Sequence, residues 1–189
     1  MRVETADLAD VLVFRPEPFR DARGLFTRTF DARILDNELA DRTAEGGPVR
    51  AADFVQDSQS RSVLGVIRGM HGRSGQGEAK LVRCAHGAVH DVLVDIRRGS
   101  PTFGMQQAFI LDDVDFAHLY VPRGFLHGFQ ALTPTADVCY RIDREHDPAE
   151  DLAVAYDDPD LGIAWPLPVS LVSVRDATAG GWSQLLESL

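Results

Sequence analysis

Residues 88 to 97 read A-V-H-D-V-L-V-D-I-R, and they alternate more cleanly than any other part of the chain. In an extended conformation Ala88, His90, Val92, Val94 and Ile96 share one face, while Val89, Asp91, Leu93 and Asp95 share the other. A face with two carboxylates beside two aliphatics is either solvent-exposed or the wet interior of a barrel. Short runs of the same kind recur at Val11–Phe14, Gly24–Phe30, Asp53–Gln56, Leu64–Met70 and Ala79–Ala85. They continue at Met105–Leu111, Phe116–Val121, His127–Ala131 and Asp137–Asp143, divided by Gly, Pro, Asp and Ser clusters. Two stretches read as helical: Ala32–Asp41, capped by Asp31 with Ile34, Leu35 and Leu39 on one side, and a terminal turn over Trp182–Leu189. Ala44–Pro48 reads as a flexible loop. The expected fold is therefore mostly β, a jelly-roll barrel of antiparallel strands with a few short helices, in one domain over 1–189.

Composition narrows the functional classes. The 189 residues are 44% apolar and 25% charged, ordinary for a globular protein. No run of 18 apolar residues predicts a membrane span. Met1–Phe14 carries acidic residues and lacks the apolar segment of a secretory signal, so the expected location is cytoplasmic. Cys84 and Cys139 form no CxxC pair and read as buried small hydrophobes. A net charge of -10 argues against a nucleic-acid partner. An anionic ligand would need a local basic patch, and segment 61–83 offers Arg61, Arg68, Arg73, Lys80 and Arg83 against Glu78 alone. Lys80 is also the only lysine among 19 basic side chains.

Three chemistries compete for the histidines. Pro122-Arg-Gly-Phe-Leu-His127 has the spacing of the second cupin motif, P-x-G-x-x-H. The first motif needs H-x-H, but His71 is followed by Gly72 and Arg73, and an arginine at a ligand position repels a divalent ion. No metal is therefore expected, although a metal-dependent cupin oxygenase or isomerase stays as an alternative, as does a non-catalytic binding protein. His71 without metal is a base, an acid or a structural residue. Arg68, the neighbouring glycines and Lys80 favour a base whose product charge an ammonium stabilises. Lys80 could instead be a surface residue, Tyr140 a core tyrosine or an acid facing the base, and Asp157–Asp160 a solvated turn or the source of a carboxylate that orients a histidine.

Several motifs in order resemble one family. They are F-R-D-A-R-G-L-F from Phe19, F-V-Q-D-S-Q-S from Phe54, I-R-G-M-H from Ile67 and K-L-V-R from Lys80. Further on come D-V-L-V-D-I-R-R-G-S-P-T-F-G from Asp91, V-P-R-G-F-L-H-G-F from Val121 and D-D-P-D-L-G-I-A-W-P from Asp157. From about Val11 to Pro166 the chain resembles the dTDP-4-dehydrorhamnose 3,5-epimerase family, whose members have a cupin-type jelly roll and act without metal or other cofactor. The resemblance implies a dTDP-linked 4-keto-6-deoxysugar as substrate, epimerised at C3, C5 or both. It implies catalytic roles for His71 as base, Asp158 as its partner, Lys80, and Tyr140 as the acid on the opposite face. It implies substrate contacts from Arg68, His127, Gln56, Ser58, Arg73, His146 and Trp165. Phe19, Arg23 and Phe26 match residues that a partner subunit lends to the nucleotide, implying a homodimer with exchanged N-terminal strands and a C-terminal tail over about 167–189.

The chain departs from the family pattern at four positions: Arg28, Ser58 and Arg73 replace a glutamate, an asparagine and a glutamine, and His146 replaces a second tyrosine. The last change predicts epimerisation of one carbon, with C3 preferred.

Overall fold

The computed structural model describes residues 1–40, 42 and 47–189. Most of the expected Ala44–Pro48 loop lies outside the described residues. Six strands form one antiparallel sheet in the order β1 (Arg2–Thr5), β2 (Leu12–Arg15), β10 (His118–Val121), β7 (Lys80–His86), β12 (Thr135–Ile142) and β5 (Gln56–Val63). Five form a second, in the order β13 (Asp151–Ala153), β6 (Ile67–Arg73), β11 (Phe125–Ala131), β8 (Ala88–Asp95) and β9 (Gln106–Asp112). A separate hairpin pairs β3 (Phe19–Asp21) with β4 (Gly24–Phe26). The architecture is thus mostly β and antiparallel, as expected, and its two main sheets pack face to face.

Inward-facing side chains from both sheets make the central core, among them Val82, Leu119 and Val138 from the first and Val89, Leu93 and Phe129 from the second. The two faces of β8 are both covered. Its Val89, Asp91, Leu93 and Asp95 point inward, so the carboxylates belong to the interior. Asp95 is satisfied there by Arg97, Ser100 and Thr102, which accounts for the D-I-R-R-G-S-P-T run as a loop-holding device.

The aliphatic face of β8 is covered as well. Val92, Val94 and Ile96 pack with Met70 and Leu126 against Val154, Leu161, Trp182 and Leu185. That cover comes from the last forty residues, which carry α2 (Val174–Ala177) and α3 (Trp182–Ser188). Residues 167–189, expected as a C-terminal tail, pack on the second sheet. Parallel bridges Val66↔Leu171 and Val154↔Gly180 pin the segment to the second sheet. On the other side α1 (Ala32–Leu39), capped by Asp31, buries Leu35 and Leu39 against Leu12, Phe14 and Tyr120. No helix among the described residues is long and apolar enough to cross a membrane.

Because Trp182 anchors the C-terminal cover, Trp182→Ala is expected to lower stability by about 3 kcal/mol. It should also loosen residues 171–176, the part of the cover that leads into α2. Chemical denaturation gives the first quantity, and protection of the Asp176 amide from hydrogen exchange gives the second.

Candidate active site

A defect in strand pairing builds the site. On β11, His127 stands opposite His71 and Phe129 opposite Arg68, so two steps along β11 match three along β6. The extra residue is a bulge, and it turns Arg68 and His71 to one face, which regular alternation would forbid. Gly69 lies inside it at φ +133°, and a Cβ there would sit 2.5 Å from the Cα of Gly128. Only glycine fits.

Beside the bulge a cavity of about 500 Å³ opens between the sheets. The second sheet lends it Arg68, His71 and His127, and the first lends Ser60, Lys80 and Tyr140. The C-terminal segment closes one side with Leu171, Ser173, Arg175 and Asp176.

His71 Nε2 lies 2.7 Å from Asp176 Oδ1. Asp176 is 3% exposed, and its other oxygen accepts from the Gly69 amide at 3.3 Å. A carboxylate accepts only, so Nε2 carries the proton and Nδ1 keeps the basic lone pair. Burial lowers the His71 pKa below its ordinary value, outweighing the upward pull of Asp176, and the cations Arg175 and Lys80 push the same way as burial. The imidazole is neutral at pH 7 and suited to abstract a proton.

Tyr140 reaches the cavity from the opposite sheet, its hydroxyl 3.2 Å from Ser60 Oγ. Burial pushes its phenol pKa well up, so it is protonated and available as a donor. Lys80 enters from the start of β7, with Nζ 2.8 Å from Glu78 Oε1. His127 is held by Asp91 at 2.8 Å and meets the Tyr140 ring edge-on at 6.1 Å. Arg68 is fixed by Ser62 Oγ and the Arg61 carbonyl. A base and an acid on facing walls, with cations beside them, can move a proton from one face of a carbon to the other. Among the described residues, no three His, Cys, Asp or Glu side chains group so as to hold a metal ion.

The structure corrects several expected placements. Asp158 does not pair with His71. Its carboxylate accepts from the Asp160, Leu161 and Trp182 amides, so it ties the turn before Gly162 to the start of α3. Arg73 does not line the cavity; it bonds Glu78, Asp151 and the Asp147 carbonyl. His146 also lies outside, 3.3 Å from Asp151. Trp165 donates to the Tyr156 carbonyl at 2.8 Å and packs on the outer core beside His90. Gln56 and Ser58 share the face of β5 that carries Ser60 but are not among the cavity's lining residues. Phe19 and Phe26 are cross-strand partners on the β3–β4 hairpin, 65% and 71% exposed, with Arg23 at its turn bonded to Asp21.

Asp176, Arg175, Ser60 and Asp91 escaped the sequence reading as site residues. Ser173-Val-Arg-Asp176 does carry a local signal, since Ser173 Oγ caps the Asp176 amide at 3.1 Å. That pattern announces a helical turn but not the histidine it serves.

The dTDP-4-dehydrorhamnose 3,5-epimerase family matches residues 5–184. The chain belongs to that family. The dTDP-4-dehydrorhamnose 3-epimerase of Streptomyces niveus is 41% identical over 95% of this chain and 83% of its own. The dTDP-4-dehydrorhamnose 3,5-epimerase of Neisseria gonorrhoeae is 37% identical over 98% of this chain, which spans about half (54%) of that relative's length. Among solved structures, dTDP-6-deoxy-D-glucose-3,5-epimerase from Legionella pneumophila Philadelphia 1, in complex with dTDP-4-keto-L-rhamnose, superposes with a TM-score of 0.85. It is 36% identical, covering 95% of this chain and 92% of that one.

The two aspartates separate by experiment. Asp176→Asn should lower kcat by about 100-fold or more with the fold intact, because the amide no longer holds the imidazole in its basic tautomer. Asp158→Ala should instead lower stability by about 1–3 kcal/mol by stranding backbone amides. Steady-state kinetics and thermal melts on both variants check the assignment.

Proposed function

We propose that this protein epimerises a dTDP-linked 4-keto-6-deoxyhexose, with His71 as base and Tyr140 as acid. The carrying observation is their placement on opposing sheets around one cavity, with His71 oriented by Asp176. The ketone acidifies the neighbouring C–H. His71 Nδ1 takes that proton, the electron pair moves onto the ketone oxygen, and the Lys80 ammonium stabilises the enolate as it forms. Tyr140 then delivers its hydroxyl proton to the opposite face, inverting the carbon. Solvent exchange with the imidazolium and the phenolate resets both groups. Arg68 and His127 hold the sugar.

We further infer that one carbon is inverted, with C3 preferred. Tyr140 is the one tyrosine lining the cavity among the described residues, and His146 is engaged by Asp151 outside it. The name of the Streptomyces niveus relative supports the same choice. Metal independence is part of this reading. Lys80 supplies the positive charge, and Arg73 occupies the position where a cupin metal site would need its second histidine.

The dimer is also part of it. An isolated hairpin whose two phenylalanines are both exposed is suited to stack on the nucleobase in a second subunit's site.

With dTDP-4-keto-6-deoxyglucose in D₂O, NMR is expected to show deuterium entering at C3, with C5 exchanging slowly, and a chelator leaving the rate unchanged. Equal rapid exchange at both carbons overturns the one-carbon reading, and no exchange at either overturns the function. A chelator loss restored by a divalent ion would favour the oxygenase-type alternative. The acid limb of kcat/KM should fall below about pH 6.5, since the His71 pKa is lowered.

The hairpin has its own test. Phe26→Ala should raise KM about tenfold with kcat little changed, the scale of one lost base–aromatic stack. The native protein should sediment as a dimer, and a fully active monomer overturns the lent-residue picture.

A further inference from the structure

Lys80 is held by a pair of side chains that lie outside the cavity. Glu78 Oε1 is 2.8 Å from Lys80 Nζ, and Glu78 Oε2 is 2.9 Å from Arg73 Nε. The three side chains are 8–11% exposed, so the bridge is shielded from water and from salt. Arg73 is fixed in turn by Asp151 and by the Asp147 carbonyl. Asp151 also holds Arg175, on the cavity's other side, at 3.0 Å. Charges alternate along this line, from Lys80 through Glu78, Arg73 and Asp151 to Arg175, and its two ends are the groups that line the cavity.

We infer that Glu78 and Arg73 act as one unit that positions the Lys80 ammonium for the chemical step. The inference rests on the epimerase reading for the role of Lys80, but not for the contact itself. A lysine has a long flexible stem, and a free ammonium samples many positions. Stabilising an enolate needs the charge at one place before the reaction begins. Glu78 fixes that place by accepting one bond, and Arg73 fixes Glu78 by occupying its second oxygen. Burial raises the Glu78 carboxyl pKa, yet the two cations outweigh it and keep the group ionised. Neither Glu78 nor Arg73 lines the cavity, so both are positioning residues.

Substitutions distinguish a unit from two separate contacts. Glu78→Ala removes both bonds. Glu78→Gln leaves one carbonyl oxygen, and its NH₂ faces the second cation, donor against donor. In an Arg73→Gln background that conflict disappears, and the amide oxygen can accept from Lys80.

The experiment combines kinetics with NMR of the full-length protein carrying nitrogen-labelled lysine. Lys80 is the only lysine, so its ammonium gives a single signal. Glu78→Ala should lower kcat about tenfold with KM changed less than about threefold, the pattern of an interaction expressed in the transition state. Its ammonium signal should lack the protection from exchange that the buried Glu78 contact is expected to give the parent. Glu78→Gln should fall between parent and Glu78→Ala, and Arg73→Gln/Glu78→Gln should return kcat to within about threefold of the parent. Parent-like kcat and an unchanged ammonium signal in Glu78→Ala overturn the proposal. So does a double variant no better than Glu78→Gln alone. If Glu78→Ala does not fold, the ammonium signals and kcat of the two glutamine variants decide by the same criteria. A parent that turns over no 4-keto sugar nucleotide overturns the epimerase reading instead, while the ammonium signal still shows whether Glu78 holds Lys80.

Discussion

Asp176 sits 2.7 Å from His71 although 105 residues separate them, and much of the architecture follows from holding that carboxylate there. A buried charge without a partner costs several kcal/mol, so the segment carrying Asp176 must be fixed on both sides. Before it, Leu171 bridges to Val66; after it, Gly180 bridges to Val154. Trp182 and Leu185 then sink into the outer core. Asp158 enters the same argument indirectly. It accepts from the Trp182 amide and so holds the start of α3. The aspartate expected to pair with His71 therefore secures the segment that delivers the one that does.

The charge distribution has the same logic. The chain is strongly acidic overall at -10, yet the cavity is lined by Arg68, Lys80 and Arg175. The acidic groups beside them are occupied: Asp176 and Asp91 by histidines, Glu78 by Lys80 and Arg73. The Glu78 charge is cancelled by its two cations, Asp176 and Asp91 turn theirs onto imidazole N–H groups, and an incoming anion meets a low-dielectric wall with cations on it. An acidic surface and a cavity for an anionic ligand coexist because pairing, not composition, sets the local potential.

Strands with a mainly apolar face were legible in the sequence, and alternation survives in β8 although two of its four inward residues are carboxylates. β5, Gln56–Val63, was not legible. It is an edge strand paired only with β12, and its sequence Q-D-S-Q-S-R-S-V is polar on both faces. Its inner face carries Ser60 and Ser62, which serve Tyr140 and Arg68. Function removed the hydrophobic signal that would have announced the strand. Arg68, His71, Lys80 and His127, which line the cavity, lie in short motifs, whereas Tyr140 lies in none and its strand pattern left it open as a core residue. Their partners were not legible, since Asp176 and Glu78 are identified only by which side chains the fold brings within 3 Å. Arg73 shows the converse. Two residues from His71 it would share that side chain's face in a regular strand, yet it is drawn aside by Glu78 and Asp151.

The two histidines show why a shared chemistry does not mean a shared role. His71 and His127 are direct cross-strand partners, and each is bonded to an aspartate at about 2.8 Å or less. Composition and pairing cannot tell them apart; exposure can. The His71 side chain is 33% exposed, whereas that of His127 is 6% exposed and sealed against Tyr140. The difference follows from where each strand lies. β11 is central, covered on both edges by β6 and β8, while β6 has only the three-residue β13 beyond it and is bulged at Gly69. An imidazole on the bulged strand keeps a free nitrogen accessible to a ligand, and one on the central strand becomes part of the wall. The accessible imidazole is thus found where the sheet departs from regularity, because a regular strand would bury His71 as deeply as it buries His127.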